Sequence, residues 1–282
     1  MNYRHAYHAG NIGDVLKHAV FSRLILYFQR KDKPFRIIDT HAGIGGYDLT
    51  SEETQKTGEY RDGIAKVLDA AIPEDVDAIL SPWLNLIRQE NPTGKLAHYP
   101  GSPLLARKLM RSIDRLTLTE LHPADFETLA KCFAGDHQVK TIHLDGWLAL
   151  GSFLPPKEKR GLVMIDPAFE QAYEFDRMAE AIIKGWRKFT TGTYACWYPL
   201  KDRRGLADFH NALREAGVKD VLTLELKIGK SGPDTIMLGS GMTIINPPFT
   251  LADEMQIVLP WLADTLHKGH GSGWSIDQLI SE

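Results

Sequence analysis

FRIIDTHAGIGGY, residues 35–47, holds the transition that decides the fold. Its apolar start reads as a short buried strand ending at Asp39, and Gly43, Gly45 and Gly46 then turn the chain tightly. Glycines at such a turn let the backbone approach a ligand and pack closely on the next segment. By itself the turn is equally compatible with a structural bend and with a nucleotide-binding loop. The order of the downstream strands and their terminal residues separates the two.

Working outward, strand-like runs alternate with helical ones, which is the pattern of an α/β fold. Six more strands are expected at LTLTEL, VKTIHL, GLVMI, TYACWY, VLTLEL and GMTII, making a sheet of seven. Segments such as PADFETLAKCFA, FDRMAEAIIKGWRKF and RGLADFHNALREAG carry apolar residues at helical spacing between them. A first helix is expected from Asp14 as N-cap through VLKHAVFSRLILYFQR. One interval breaks the rhythm. Asp39 and Glu120 are 81 positions apart, where the first two strand ends of a nucleotide-binding βαβ unit lie about 20 apart. The excess is read as a helical insertion over 50–100, with 1–49 and 101–282 forming the core.

Composition sets the outer limits. The chain has 282 residues, 43% of them apolar, enough for one large core. Cys132 and Cys196 give neither a disulfide framework nor zinc-ligand spacing, so a reducing, cytoplasmic setting is expected. No secretory signal and no membrane span is read in the sequence. The formal net charge of −3 argues against indiscriminate coating of nucleic acid and leaves room for a local basic face.

After the glycine turn, acidic residues recur at successive strand ends. Glu120 closes LTLTE, where a carboxylate can hold both hydroxyls of a ribose. Asp145-Gly146 follow TIHL, where a carboxylate and a backbone amide can read an adenine edge. Each acid alone could be a helix cap, but the ordered set points to an adenosine-bearing cofactor. No GxxxxGK[ST] phosphate loop is present, so S-adenosylmethionine fits better than NAD or ATP.

The fourth strand run then ends in DPAF, Asp166 to Phe169. An exocyclic amine such as adenine N6 is a poor nucleophile, because its lone pair is delocalised into the ring. Two fixed acceptors, Asp166 and the Pro167 carbonyl, would draw the lone pair out towards an electrophilic methyl. Proline's fixed φ holds that carbonyl in place. Phe169 offers a face on which an extruded base can stack. NPPF, Asn246 to Phe249, is the closer literal match to a [DN]PP[FYW] pattern. It ends the seventh strand, away from the switch point where ligands of open α/β sheets gather, and is read as a structural turn.

These residues resemble a family. NYRHAYHAGNIGDVLKH, DTHAGIG, TGEY, YPGSP, LTELHP, the Asp145-Gly146 pair, LVMIDP, YACWYP and MTIINPP together resemble the RlmJ-type 23S rRNA adenine-N6 methyltransferases, over nearly the whole chain. The resemblance implies a class I S-adenosylmethionine-dependent methyltransferase, Rossmann-like, with a small helical insertion and one 23S rRNA adenine as target. By similarity, His18, His41, Gly43, Ser102, Glu120, Asp145, Gly146 and Asp166 would line the cofactor site, with Asp166 as catalytic acceptor. Tyr3, His5 and Lys17 match N-terminal residues implicated in handling RNA. The family's DPPY motif is DPAF here, which keeps the Pro167 carbonyl and loses the aromatic hydroxyl.

The N-terminal segment is crowded with Tyr3, Arg4, His5, His8, Lys17 and His18. HAYH lacks a nearby carboxylate or cysteine to complete a usual metal set, so no metal is expected. Asp14, Lys17, His18 and Phe21 share one helix face and can converge. A monomer acting on 23S rRNA is the leading expectation. A DNA adenine-N6 methyltransferase uses identical chemistry, and a non-catalytic nucleic-acid-binding factor in external DNA utilisation is the alternative from another class.

Overall fold

The computed structural model describes residues 4–229 and 239–281. Its main sheet has the order β10-β8-β9-β7-β6-β1-β4-β5. Five strands run parallel: β1 (Arg36–Asp39), β4 (Arg115–Glu120), β5 (Val139–His143), β6 (Gly161–Ile165) and β7 (Thr193–Pro199). β8 (Val221–Ile228), β9 (Gly239–Ile245) and β10 (Ser272–Ile280) complete the other side through antiparallel pairings. A separate ladder joins β2 (Gly46–Asp48) to β3 (His98–Pro100), with Tyr47 opposite Tyr99.

The helices are α1 (Ile12–Gln29), α2 (Glu52–Thr57), α3 (Ile64–Asp69), α4 (Glu74–Glu90), α5 (Ser102–Leu109), α6 (Pro123–Cys132), α7 (Gly146–Phe153), α8 (Glu174–Lys188), α9 (Arg203–Glu215) and α10 (Leu251–Leu266). Alternation along each strand sends successive side chains to opposite faces. Ile37, Leu162 and Met164 join a core with α1, α5 and α10, while Ile38, Val163 and Ile165 join one with α7, α8 and α9. Covering on both faces explains why β6 is buried along its whole length.

The N-terminal helix differs from an ordinary amphipathic one, because it is buried almost all round. Its burial extends to Asp14, Lys17, His18 and Ser22. Polar groups are rarely taken out of water without partners, so this turn of helix marks a candidate site. Arg23 clamps the helix from behind, with a two-pronged bond to Glu254 of α10 and a third bond to the Ile79 carbonyl of α4.

Two local readings are corrected, and the reading of NPPF as a structural turn keeps its place. Among the described residues the sheet has eight strands where seven were expected. The extra one, β10, is an edge strand with half-exposed side chains and no apolar run to announce it. Asn11, not Asp14, caps α1, with its side chain accepting from the Asp14 amide at 3.0 Å. NPPF lies at the opposite edge from the parallel strand ends, because β9 runs against β7 and places Ile245 beside Tyr194. There the Asn246 side-chain amide donates to the Thr190 and Gly192 carbonyls at 2.8 and 2.7 Å, a turn-bracing role.

Candidate active site

The chain steps from β1 to β4 and β5 on one side, then crosses back to β6 on the other. Open α/β sheets form a crevice outside the carboxyl ends of the strands at such a reversal. A cleft of about 950 Å³, counting its solvent-open part, lies there. It is lined by the end of β4, the loops that follow β1 and β6, the second turn of α1, the starts of α5, α7 and α8, and the N-terminal segment at His5.

One half of the cleft is built on the glycine turn. Gly43, at φ +60°, donates its amide to Glu120 Oε2 at 2.8 Å, while the His122 amide takes Oε1 at 2.8 Å. Burial raises Glu120 above the usual carboxylate range, and these two amides pull against it. Asp145 caps α7 by accepting from the Trp147 amide at 3.0 Å, and Arg177 approaches its other oxygen at 3.6 Å. Gly146 lies against the backbone. A Cβ there would fall 2.1 Å from the Thr40 carbonyl oxygen.

Ser102 donates to Asp39 Oδ2 at 2.6 Å, and burial pushes Asp39 up to about 6. His41 bonds Thr40 Oγ1 through Nδ1 at 2.8 Å, with Trp147 edge-on at 4.9 Å between ring centres. Burial, with help from Arg177, lowers His41 to about 3, so its ring is neutral at physiological pH.

The other half faces the end of β6. Asp166, Pro167 and Ala168 line it directly. Lys17 Nζ lies 2.5 Å from Asp166 Oδ2 and 2.6 Å from Asp14 Oδ1, with its side chain only 4% exposed. Burial works against the Lys17 charge, but the two carboxylates outweigh it and hold the ammonium above its ordinary value. His18 is 1% exposed and bonds the Tyr99 hydroxyl through Nδ1 at 2.8 Å. Its Nε2 is buried with no hydrogen-bond partner among the described residues, and burial lowers the ring to about 3.

Of the sequence-derived site residues, His5, Lys17, His18, His41, Gly43, Ser102, Glu120, Asp145, Gly146, Asp166 and Pro167 all line this one cleft. Tyr3 lies outside the described residues. Phe169 is not brought into the cleft. At φ +50° its ring turns onto Phe175 and Trp197, with centroids 4.8 and 6.0 Å away. Sequence reasoning missed Trp147, Glu174 and Arg177 as lining residues, and it took Asp14 for a cap. The i, i+3 spacing of Asp14 and Lys17 was the available signal for their pair.

The residues fit an adenosine-bearing sulfonium cofactor. Acids stand at two successive strand ends, a glycine presses against the strand backbone, and a buried imidazole nitrogen in the wall awaits a partner. Among the described residues no group of His, Cys, Asp or Glu is arranged to hold a metal ion, and no helix is long and apolar enough to cross a membrane.

Comparison with known proteins identifies the family. The family model described as "Ribosomal RNA large subunit methyltransferase D, RlmJ" matches residues 32–280. The chain is 42% identical to Ribosomal RNA large subunit methyltransferase J of Escherichia coli (strain K12) over 266 residues, 94% of each chain. It is 40% identical to the protein of the same name from Haemophilus influenzae over the full length of both. A crystal structure of protein LPL1258 from Legionella pneumophila superposes with a TM-score of 0.86 at 36% identity, covering 96% of this chain and 98% of that one.

Proposed function

The chain belongs to the RlmJ family of ribosomal RNA large subunit methyltransferases, and from that premise we propose that it methylates N6 of one adenine in 23S rRNA. The observation that carries the choice of atom is the Asp166-Pro167 turn. It follows β6 into the cleft, and β6 lies on the other side of β1 from β4 and β5, whose ends carry Glu120 and Asp145.

S-adenosylmethionine is the methyl donor: when bound, it offers a methyl on a sulfonium, whose S–CH3 bond breaks as N–CH3 forms, the positive charge passing to the amine, which then sheds a proton. The residues that would hold it are His18, His41, Gly43, Ser102, Glu120, Asp145 and Gly146. Glu120 would take the ribose hydroxyls, and Asp145-Gly146 the adenine edge. Asp166 and the Pro167 carbonyl accept the two N–H groups of the target amine and localise its lone pair. Lys17 already occupies Asp166 Oδ2 at 2.5 Å, which leaves Oδ1 for the amine and for the departing proton. The base must be extruded or unpaired, because the amine is unreachable inside a duplex.

An RNA-handling role for the N-terminal segment is part of the proposal, with His5 lining the cleft, Lys17 buried between Asp14 and Asp166, and Tyr3 named from the sequence alone. Residues 50–100 form a helical elaboration clamped at its roots by the β2–β3 ladder and packed through α4 onto α1 and α10. The proposal includes a monomer working in the cytoplasm, where its ribosomal substrate is made.

The test offers methyl-labelled S-adenosylmethionine and purified protein with unmodified 23S rRNA or duplex DNA. N6-methyladenosine recovered from rRNA alone, and lost in Asp166→Ala, supports the proposal. Label in DNA alone moves the substrate to the other polymer, and no transfer to either ends the proposal.

A further inference from the structure

Asp14 is 1% exposed and sits in the first turn of α1. Its carboxylate gathers three donors: the Gly10 amide at 2.8 Å, His5 Nε2 at 3.0 Å and Lys17 Nζ at 2.6 Å. One buried ammonium is thereby shared between two carboxylates, since Lys17 also reaches Asp166 at 2.5 Å. A helix-capping role explains the Gly10 bond only. It gives no reason for a second carboxylate on the lysine that touches the catalytic acid.

The reaction supplies the reason. Methyl transfer delivers a positive charge to an amine held by Asp166. Paired with Lys17 alone, Asp166 would be electrically cancelled, and the ammonium would oppose the arriving charge. Low-dielectric surroundings make such opposition strong. With Asp14 present, Asp14, Lys17 and Asp166 sum to one net negative charge beside the target. The neutral His18 ring adds none.

Resting on the proposed methyl transfer, we propose that Asp14 is a positioning residue for that step, which neutralises Lys17 and fixes it on one oxygen of Asp166, so that the cluster keeps its negative charge towards the amine. Through His5 the same carboxylate ties the cluster to the N-terminal segment.

The test is a double-mutant cycle of Asp14→Asn, Lys17→Met and the two combined. Single-turnover methylation of 23S rRNA is followed at pH 8 with cofactor saturating, alongside cofactor affinity and thermal melting. Asp14→Asn is expected to slow methyl transfer roughly 10- to 100-fold, somewhat less than removal of a group touching the transition state, with cofactor affinity within about threefold. In the Lys17→Met background the same substitution should change the rate less than about threefold, because Asp14 acts through Lys17. A folded Asp14→Asn with wild-type rate overturns the proposal, as does an equal loss in both backgrounds. Should Asp14→Asn alone fail to fold, the pair Lys17→Met and Asp14→Asn/Lys17→Met still decides it, because a tenfold difference between them refutes action through Lys17. Wild-type protein that transfers no methyl refutes the proposed function itself, whereas an active wild type beside an unimpaired Asp14→Asn refutes only this role.

Discussion

Gly146→Ala tests whether the start of α7 is part of the cofactor site. The added Cβ would lie 2.1 Å from the Thr40 carbonyl oxygen and 2.9 Å from His41 Cε1. Contacts under 3.0 Å are essentially never tolerated, so the two elements must part by at least about 0.9 Å. Thr40 is fixed by its own amide bond to the Met164 carbonyl of β6, at 3.0 Å. The movement therefore falls on α7, and with it on Asp145 and the Gly146 amide. Overpacking of this kind costs about 1–3 kcal/mol of stability. A displacement near 1 Å also takes both groups out of hydrogen-bonding range of a bound adenine. Losing one neutral and one charged hydrogen bond removes about 2–4 kcal/mol, or roughly 30- to 1,000-fold in affinity. Calorimetric titration with S-adenosylmethionine measures this directly. Gly151→Ala is the control, in the same helix, where the added Cβ meets only Lys184 Cε at 3.9 Å. That change should leave affinity unaltered and stabilise the helix by up to about 1 kcal/mol. A folded Gly146→Ala that binds cofactor like wild type would show that the Asp145-Gly146 corner does not touch the ligand.

Phe169→Ala should lower stability by about 2 kcal/mol, since the ring packs on Phe175 and Trp197, while KM for rRNA stays within about threefold. A tenfold rise in KM without loss of stability would instead mean that the ring leaves Phe175 to stack on the target base, an interaction worth about 1–3 kcal/mol. Asp39 has its folded pKa raised by burial from 3.8 to about 6. Between those values the fold keeps a proton that the unfolded chain has released, so stability falls as pH rises through the window and is flat above it. Asp39→Asn removes that penalty. Urea denaturation should show the variant gaining on wild type by about 2–3 kcal/mol between pH 4 and pH 7.5, and a pH-independent difference would contradict the assigned shift.

How far the sequence could be read depends on which interactions are local. The seven apolar runs were legible because a strand covered on both faces must be apolar along its length, as β6 is. β10 was not, because an edge strand covered on one side can carry Ser275, Asp277 and Gln278. The three-residue strands β2 and β3 exist only through their mutual pairing, about fifty positions apart, which no local pattern reveals. Within the site, strand-end acids and glycines announced themselves by position. Their partners did not. Tyr99 reaches His18 across 81 positions and Lys17 reaches Asp166 across 149, and Arg177 meets Asp145 from α8, with the whole of β6 between them in the chain. The burial of Asp14 was equally hidden, since an acid at a helix start is ordinarily a solvated cap.

The most direct test of the proposed chemistry is Asp166→Asn in single-turnover methylation of 23S rRNA, with cofactor affinity measured on the same protein. Asparagine keeps the shape of the side chain and an acceptor oxygen, but it can neither hold the charge nor take the amine proton. The expected result is a methyl-transfer rate at least about 10²-fold lower, with S-adenosylmethionine bound within about threefold of wild type. Methylation at the wild-type rate by the variant would contradict the assignment, and would place the catalytic acceptor somewhere other than the end of β6.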